Sequence, residues 1–278
     1  MCDVLSGSFA APRWTFWRPD RIRVVNWNID RGLQLEKIIA FLEAQRADIL
    51  VLQEADLYAR RTGFRNIAEE IAKRLRMNYA FGYEFEELTQ GRRAAPAFHG
   101  QATLSSWPLR NSRVLRFRQQ SNFWKPKWFL PRTEPFQPRR GGRIALITEV
   151  AVSGRKLMIY NLHLESRADE RLRMMQLSET VEDAKKYLLS QAVVVAGDLN
   201  TDLSRSYSSA AVLERLGFHS AIALPAAHTT PAHGIFRRRS TIDWVYLAGP
   251  VESLASRVCK DVNASDHYPI WFELKLTV

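Results

Sequence analysis

Hydrophobic positions along the chain follow two periods. In "LQLEKIIAFLEAQ", Leu35, Ile38, Ile39 and Leu42 fall at i, i+3, i+4 and i+7, the spacing of one buried helix face. "FRNIAEEIAKRLRM" repeats it and predicts a second helix. "IRVVNWNI" is a β-branched run predicted as a strand, and "DILVLQE" and "AVVVAGDLN" are continuous apolar runs, the pattern of strands covered on both faces. "NYAFGYEFE", "QATLSSWPL", "RIALITEVAV", "KLMIYNLHLES", "STIDWVYL", "VESLASRV" and "YPIWFELKL" read as further strands. Ser166 is the predicted N-cap of a long helix, with Asp169 and Glu170 in its first turn and Met174, Leu177, Val181, Ala184 and Leu188 along one face. "SAAVLERLG" predicts a short helix ended by Gly217. Strands outnumber helices, yet helices recur between some of them. That pattern predicts an α/β (α+β) protein with sheets packed face to face and helices outside.

Residues 110–143 break the pattern. The segment carries Arg110, Arg113, Arg116, Arg118, Lys125, Lys127, Arg132, Arg139, Arg140 and Arg143 against one acid, Glu134. Phe117, Phe123, Trp124, Trp128, Phe129 and Phe136 are interleaved with prolines. Its start suits a strand and its middle a long loop, and loops of that length usually have a function or move. Interleaved Arg and Trp suit phosphate contact with base stacking; a solvated loop and an anionic membrane contact follow in that order.

At 278 residues, 46% hydrophobic and 11% aromatic, the chain has material for a large core. Residues 1–20 read as an irregular lead-in and 21–278 as one catalytic domain. The charge of +11 points to an anionic partner, with nucleic acid first and a membrane surface second. No obligate protein partner is indicated. Cys2 and Cys259 form no Cys-x-x-Cys pair, which argues against a zinc knuckle or a disulfide framework and suits a reducing, cytoplasmic setting. No signal-peptide pattern and no transmembrane run is apparent.

Polar residues gather where apolar runs meet loops: Asn28 and Asp30 in "NWNID", Glu54 in "LQE", His163 in "NLHLES", Asp198 and Asn200 in "GDLN", Asp243 in "TIDWVY", and Asp266 with His267 in "SDH". A carboxylate at such a place is costly unless paired or bound to metal. Hard oxygen ligands suit Mg²⁺ or Mn²⁺, with Glu54 the best candidate. An imidazole beside a buried Asp stays protonated and can steady a negative transition state, a role that fits His267 with Asp243. Asp198 and Asn200, two apart on an extended segment, would face one side. Asp198 could then orient a water while Asn200 holds a phosphoryl oxygen.

In this order, and with "HGQATLS" between the second and third motifs, the set resembles the endonuclease/exonuclease/phosphatase superfamily from about Arg21 to the end. The resemblance implies a four-layer α-β-β-α sandwich, two packed mixed sheets flanked by helices. It implies Glu54 as principal metal ligand with Asp30 close by, Asp266 next to the metal, and Asp198 as the residue that activates the attacking water. Asn28 and Asn200 would position the water, His163 and His267 would face the phosphate, and Asp243 would partner His267. "NWNID" and "HLES" look similar to the tyrosyl-DNA phosphodiesterase branch. The implied activity is Mg²⁺-dependent cleavage of phosphodiester bonds, in DNA or RNA first. A phospholipid phosphodiesterase or small-phosphoester phosphatase is the alternative, and a non-catalytic nucleic-acid-binding module the second. His99 reads as a loop or packing histidine, His219 as packing or capping, and His228 and His233 as exposed. Trp27 reads as core.

Overall fold

The computed structural model describes residues 3–11, 21–131, 133, 136, 138–167, 169–202, 211–222, 228–232 and 239–277. His233, Arg132, Glu134 and much of the lead-in lie outside them. In chain order the strands are β1 (Val4–Gly7), β2 (Ile22–Arg31), β3 (Ile49–Leu57), β4 (Asn78–Arg92), β5 (Ala95–Ser105), β6 (Leu109–Arg116), β7 (Arg139–Gly141), β8 (Ile144–Val152), β9 (Arg155–His163), β10 (Ala192–Asp198), β11 (His219–Ser220), β12 (Asp243–Ala248), β13 (Val251–Val258) and β14 (Ile270–Leu276). The helices are α1 (Leu35–Gln45), α2 (Ile67–Leu75), α3 (Glu170–Ala184) and α4 (Ala211–Glu214).

Two mixed sheets result. One runs β1-β4-β5-β3-β2-β14-β13, with β7 beside β4; the other runs β11-β12-β10-β9-β8-β6. Strand alternation sets the layers. On β2, Ile22 and Val24 join the core that contains the second sheet, while Val25, Trp27 and Ile29 pack with Ile38, Ile39 and Leu42 of α1 and Ile67 and Ile71 of α2. Leu177, Val181 and Ala184 of α3 and Leu213 of α4 join the second sheet's core. The four-layer sandwich expected from the sequence is therefore present.

A buried polar bridge fixes the two sheets against each other just below the loops. Gln53 Nε2 donates to Asn26 Oδ1 at 3.0 Å and to Asn161 Oδ1 at 2.8 Å. Asn161 Nδ2 donates to the carbonyls of Leu52 and Ala102, each at 3.0 Å. These amides sit one or two residues before Asn28, Glu54 and His163. An inter-sheet slip would leave them unpaired, so the bridge holds the register of the strands that carry the site.

Four readings need correction. Val4–Gly7, expected to be irregular, is a strand paired with Ala80 and its neighbours on β4. Asp169, not Ser166, caps α3, accepting from Leu172 N at 3.1 Å; the Ser166 hydroxyl is held by Arg143 Nη2 at 3.1 Å instead. The helix ends at Ala184, and Met174 lies exposed, off the buried face. His219 is exposed on β11 rather than packed. Trp27 is core and His228 exposed, as read.

Candidate active site

The expected residues converge at one end of the sandwich. Parallel pairing of β9 with β10 sets His163 opposite Asp198, and antiparallel pairing of β10 with β12 sets Asp243 opposite Asp198. One row across three adjacent strands therefore delivers three of the candidates side by side. It needs Gly197: its φ is +147, and a Cβ there would sit 1.9 Å from the Leu162 carbonyl oxygen. His267 comes from the turn before β14. Its backbone carbonyl accepts from Trp27 Nε1 at 2.9 Å, and its N–H donates to Ser265 Oγ at 3.1 Å.

Asp198 is the hub. Its Oδ2 accepts from Asn28 Nδ2 at 3.2 Å, and its Oδ1 accepts from the Asn200 backbone N–H at 2.9 Å. His163 Nε2 and His267 Nε2 approach the same Oδ2, at 3.5 and 3.7 Å. Burial pushes the Asp198 carboxyl up to about 7; Asp243 adds to the rise, against the pull of His267. That value suits a base that must accept a proton near neutral pH.

The two histidines differ in state. Burial alone would discharge His267, but Asp243, 2.8 Å from its Nδ1, and Asp198 outweigh it and hold the imidazolium well above the ordinary range. Burial and the nearby Arg143 push His163 well below it, so His163 is neutral. Glu84 lies 3.9 Å from His163 Nδ1, and Arg143 Nη1 donates to the other Glu84 oxygen at 2.6 Å. Burial raises the Glu84 carboxyl despite Arg143.

Asn200 departs from its expected geometry. β10 ends at Asp198, and Asn200 has φ 49, so the two do not share an extended face. Its Nδ2 donates to the Leu164 carbonyl at 3.0 Å, and its contact with Asp198 is through the backbone.

Glu54 and Asp30 sit on bulged backbone. The β3 register breaks between Leu52 and Ala55 against β5, and the β2 register between Asn28 and Arg31 against β3. Glu54, Asp30 and Arg31 all have positive φ, at 54, 41 and 65. Residues other than glycine adopt this region at some cost, here where the bulges push the two carboxylates out of the ladders. Glu54 lies 4.0 Å from His163 Nε2 and from His99 Nε2. Burial opposes its ionisation, yet His99 and Arg31 hold its carboxyl well below the usual carboxylate range. Burial raises Asp30 despite Arg31. Asp266 is exposed beside them, accepting from Ser265 Oγ at 3.3 Å, and its charge reaches Asp30.

These carboxylates fit a hard divalent cation. They are neighbouring oxygen donors, Glu54 and Asp30 on bulged backbone with positive φ, and the Arg31 guanidinium pairs with Asp30 and lies 3.8 Å from Glu54. Glu54, Asp30 and Asp266 would hold the ion. Asp198, Asp243 and His267 also cluster closely, but the paired, protonated His267 has no lone pair to offer a metal.

Sequence reasoning missed Glu84, Arg143 and His99. The acid between Tyr83 and Phe85 in an aromatic strand was the available signal for Glu84. His99, read as a loop or packing residue, lies on β5, fully buried, with Nδ1 3.1 Å from Asp56 Oδ1.

The 110–143 segment also differs from its reading. Acids from distant elements pair its arginines: Arg113 with Asp183, Arg116 with Asp3, Arg139 with Glu87, Arg140 with Glu86 and Arg143 with Glu84. Trp124 is buried against Phe85 and donates Nε1 to the Glu165 carboxylate at 3.0 Å, so it cannot stack on a base. Phe123, Trp128, Phe129 and Phe136 remain exposed, Trp128 at 95%.

A buried acid with a raised affinity for protons, faced by two histidines and beside further carboxylates, has the chemistry to take a proton from water and to meet an anionic ester. The chain belongs to the Endonuclease/Exonuclease/phosphatase family, whose sequence profile matches residues 25–267, and it is an enzyme of that hydrolase class. Similar solved structures include an endonuclease/exonuclease/phosphatase from Beutenbergia cavernae DSM 12333, with 18% identity and TM-score 0.66, covering 93% of this chain and 72% of that one. The human Nocturnin catalytic domain with bound sulfate anion aligns at 18% identity and TM-score 0.65, over 99% and 97%. A humanized D. rerio TDP2 aligns at 17% identity and TM-score 0.61, over 92% and 100%. At these identities the likeness concerns the fold. No curated protein matches the chain by sequence. Among the described residues, no helix is long and apolar enough to cross a membrane.

Proposed function

We propose that this enzyme hydrolyses phosphodiester bonds, with nucleic acid as substrate, by in-line attack of water on phosphorus. The observation that carries the reading is the convergence of two histidines on the carboxylate of Asp198. Asn28 and the Asn200 backbone hold that carboxylate in one orientation, and its raised affinity for protons suits it to take one from water. As the water oxygen bonds phosphorus, Asp198 accepts the proton and the ester oxygen leaves. His267, charged and backed by Asp243, donates toward a non-bridging oxygen and offsets the developing negative charge. His163, neutral, lines the same position. A Mg²⁺ or Mn²⁺ ion held by Glu54, Asp30 and Asp266 would supply Lewis-acid charge to the phosphate.

Nucleic acid is favoured by the charge of +11 together with exposed basic residues that follow β2 and β3, Lys37 in the first turn of α1 and Arg60 and Arg65 in the connection to α2 among them. A second reading, a phospholipid phosphodiesterase, draws on the exposed Phe123, Trp128 and Phe129, whose apolar rings also suit a membrane interface. A panel of single-stranded and duplex DNA, RNA, a 5′-tyrosyl oligonucleotide, sphingomyelin and an aryl phosphodiester, each with Mg²⁺ and Mn²⁺, separates them. Highest kcat/KM on a polynucleotide is expected; highest kcat/KM on sphingomyelin vesicles overturns the nucleic-acid reading.

A further inference from the structure

We propose that Glu165 is a positioning residue for the base: through Trp124 its carboxylate ties the first sheet to the backbone of the second sheet that holds Asp198 and Asn200. This rests on Asp198 being the base.

β9 ends at His163, and the next peptide lies against the turn that follows β10. Leu164 N donates to the Asp198 carbonyl at 2.9 Å, and the Leu164 carbonyl accepts from Asn200 Nδ2 at 3.0 Å. Both polar groups of Leu164 therefore grip the Asp198–Asn200 turn. That turn aims the Asn200 N–H at Asp198 Oδ1, 2.9 Å away. Asn200 sits at φ 49, a conformation that its surroundings must hold. Movement of the Leu164 peptide would re-aim the carboxylate that takes the proton.

Glu165 is the next residue, fully buried, with every polar group engaged. Its N–H donates to Gln176 Oε1 at 3.1 Å, and its carbonyl accepts from Arg173 Nη1 at 3.1 Å. Its Oε1 accepts from the Arg167 N–H at 2.8 Å, and its Oε2 accepts from Trp124 Nε1 at 3.0 Å. A carboxylate buried this deeply needs such donors. Arg167 only closes a local turn. Trp124 comes from 41 residues earlier in the chain, so its bond fixes where Glu165 sits in the molecule.

Trp124 is itself anchored to the first sheet. Its ring packs on Phe85 of β4 with centroids 4.8 Å apart, and the Arg139 and Arg143 guanidinium groups lie 6.0 and 5.8 Å from it. Those arginines pair with Glu87 and Glu84 of β4. Gln176 adds a second tie, donating Nε2 to the Gln119 carbonyl at 3.1 Å. The order of contacts is then β4, Trp124, Glu165, Leu164, Asn200 and Asp198. It has a use in the reaction. Asp198 belongs to the second sheet, whereas Glu54 and Asp30 belong to the first. Base and carboxylate cluster must stay in register across the gap, and a misplacement of about 1 Å can cost on the order of 10²-fold in rate.

The test is a double-mutant cycle in the full chain between Trp124→Phe and Asn200→Gly. Phe keeps a ring against Phe85 and removes only the N–H. Gly removes the amide that holds Leu164 and tolerates the left-handed backbone. Tm, kcat and KM on an aryl phosphodiester at saturating Mg²⁺ are measured for both single variants and the double. A positioning role predicts that each single variant loses about 10-fold in kcat with KM little changed. The double should be no slower than the worse single, because both changes break the same sequence of contacts. A bond that serves stability alone would lower Tm and leave kcat of the folded protein as it was. Trp124→Phe with wild-type kcat, or losses that multiply to about 100-fold in the double, overturn the proposal. If Trp124→Phe fails to fold, Glu165→Gln replaces it in the cycle, since the amide must turn its NH₂ against either Trp124 or Arg167. Failure is separable from failure of the base assignment. Asp198→Asn turning over at nearly the wild-type rate removes the base, whereas a slow Asp198→Asn with multiplying losses in the cycle removes only the role of Glu165.

Discussion

His267 stands between two carboxylates, with Nδ1 2.8 Å from Asp243 Oδ2 and Nε2 3.7 Å from Asp198 Oδ2. The acid behind keeps the ring charged; the acid in front is the group that must give up its proton before it can take another. Turnover should therefore follow a bell in pH. Asp198 works only when ionised, and burial raises it to about 7, so kcat rises as pH climbs toward that value. His267 works only when protonated, so kcat falls again at a pH well above the ordinary histidine range. A pH–rate profile on an aryl phosphodiester reads both limbs; a profile flat from pH 5 to pH 7 contradicts the assignment of Asp198.

Asp243→Asn removes the charge that opposes discharge of His267 by burial. The falling limb should move to lower pH, and turnover near neutrality should drop by about 10²-fold or more. An unshifted limb in a folded Asp243→Asn protein would mean that another group sets it.

Exhaustive chelation should abolish hydrolysis, and Mg²⁺ or Mn²⁺ should restore it, because Glu54, Asp30 and Asp266 present only hard oxygen donors. Activity that persists after dialysis against EDTA would remove the metal from the account.

The layers were legible because strand and helix periods are local properties. Val24 and Val25 point to opposite cores in a run of apolar residues, and Leu35, Ile38, Ile39 and Leu42 all bury as their spacing requires. The candidate residues stood out because each sits where an apolar run meets a loop. What stayed hidden depends on distant partners. Nothing near Arg113 or Arg143 shows that Asp183 and Glu84 will meet them, so the segment looked like free positive charge. Nothing near His99 shows that a bulge on β3 will set Asp56 opposite it. Trp124 looked equivalent to Trp128 in sequence, and only packing separates them.

That separation predicts different outcomes for the two tryptophans. Trp124→Ala empties a buried site against Phe85 and strips a donor from Glu165, so it should destabilise the fold by about 3–5 kcal/mol. Trp128→Ala with Phe129→Ala should leave Tm and aryl phosphodiester turnover unchanged. It should weaken single-stranded oligonucleotide binding by about 1–3 kcal/mol per lost stack. Loss of vesicle binding with intact oligonucleotide affinity would assign the exposed rings to a membrane.

Asp198→Asn should also be more stable than wild type in EDTA. The fold raises this carboxyl from 3.8 to about 7, so its ionised form costs stability. That cost is absent below about pH 4, grows as pH rises through 7, and is constant above. A higher Tm for the variant at pH 8, shrinking toward pH 4, is expected; equal Tm values at pH 8 would indicate that Asp198 carries no strain when charged.

The role of Asp198 as the base is tested most directly by kcat of Asp198→Asn against wild type, on an aryl phosphodiester at pH 8 and saturating Mg²⁺. Asn keeps the size and the contact with Asn28 but cannot take a proton from water. A folded variant with kcat lowered by at least about 10²-fold is the predicted result; a folded variant turning over at nearly the wild-type rate would place the chemistry elsewhere.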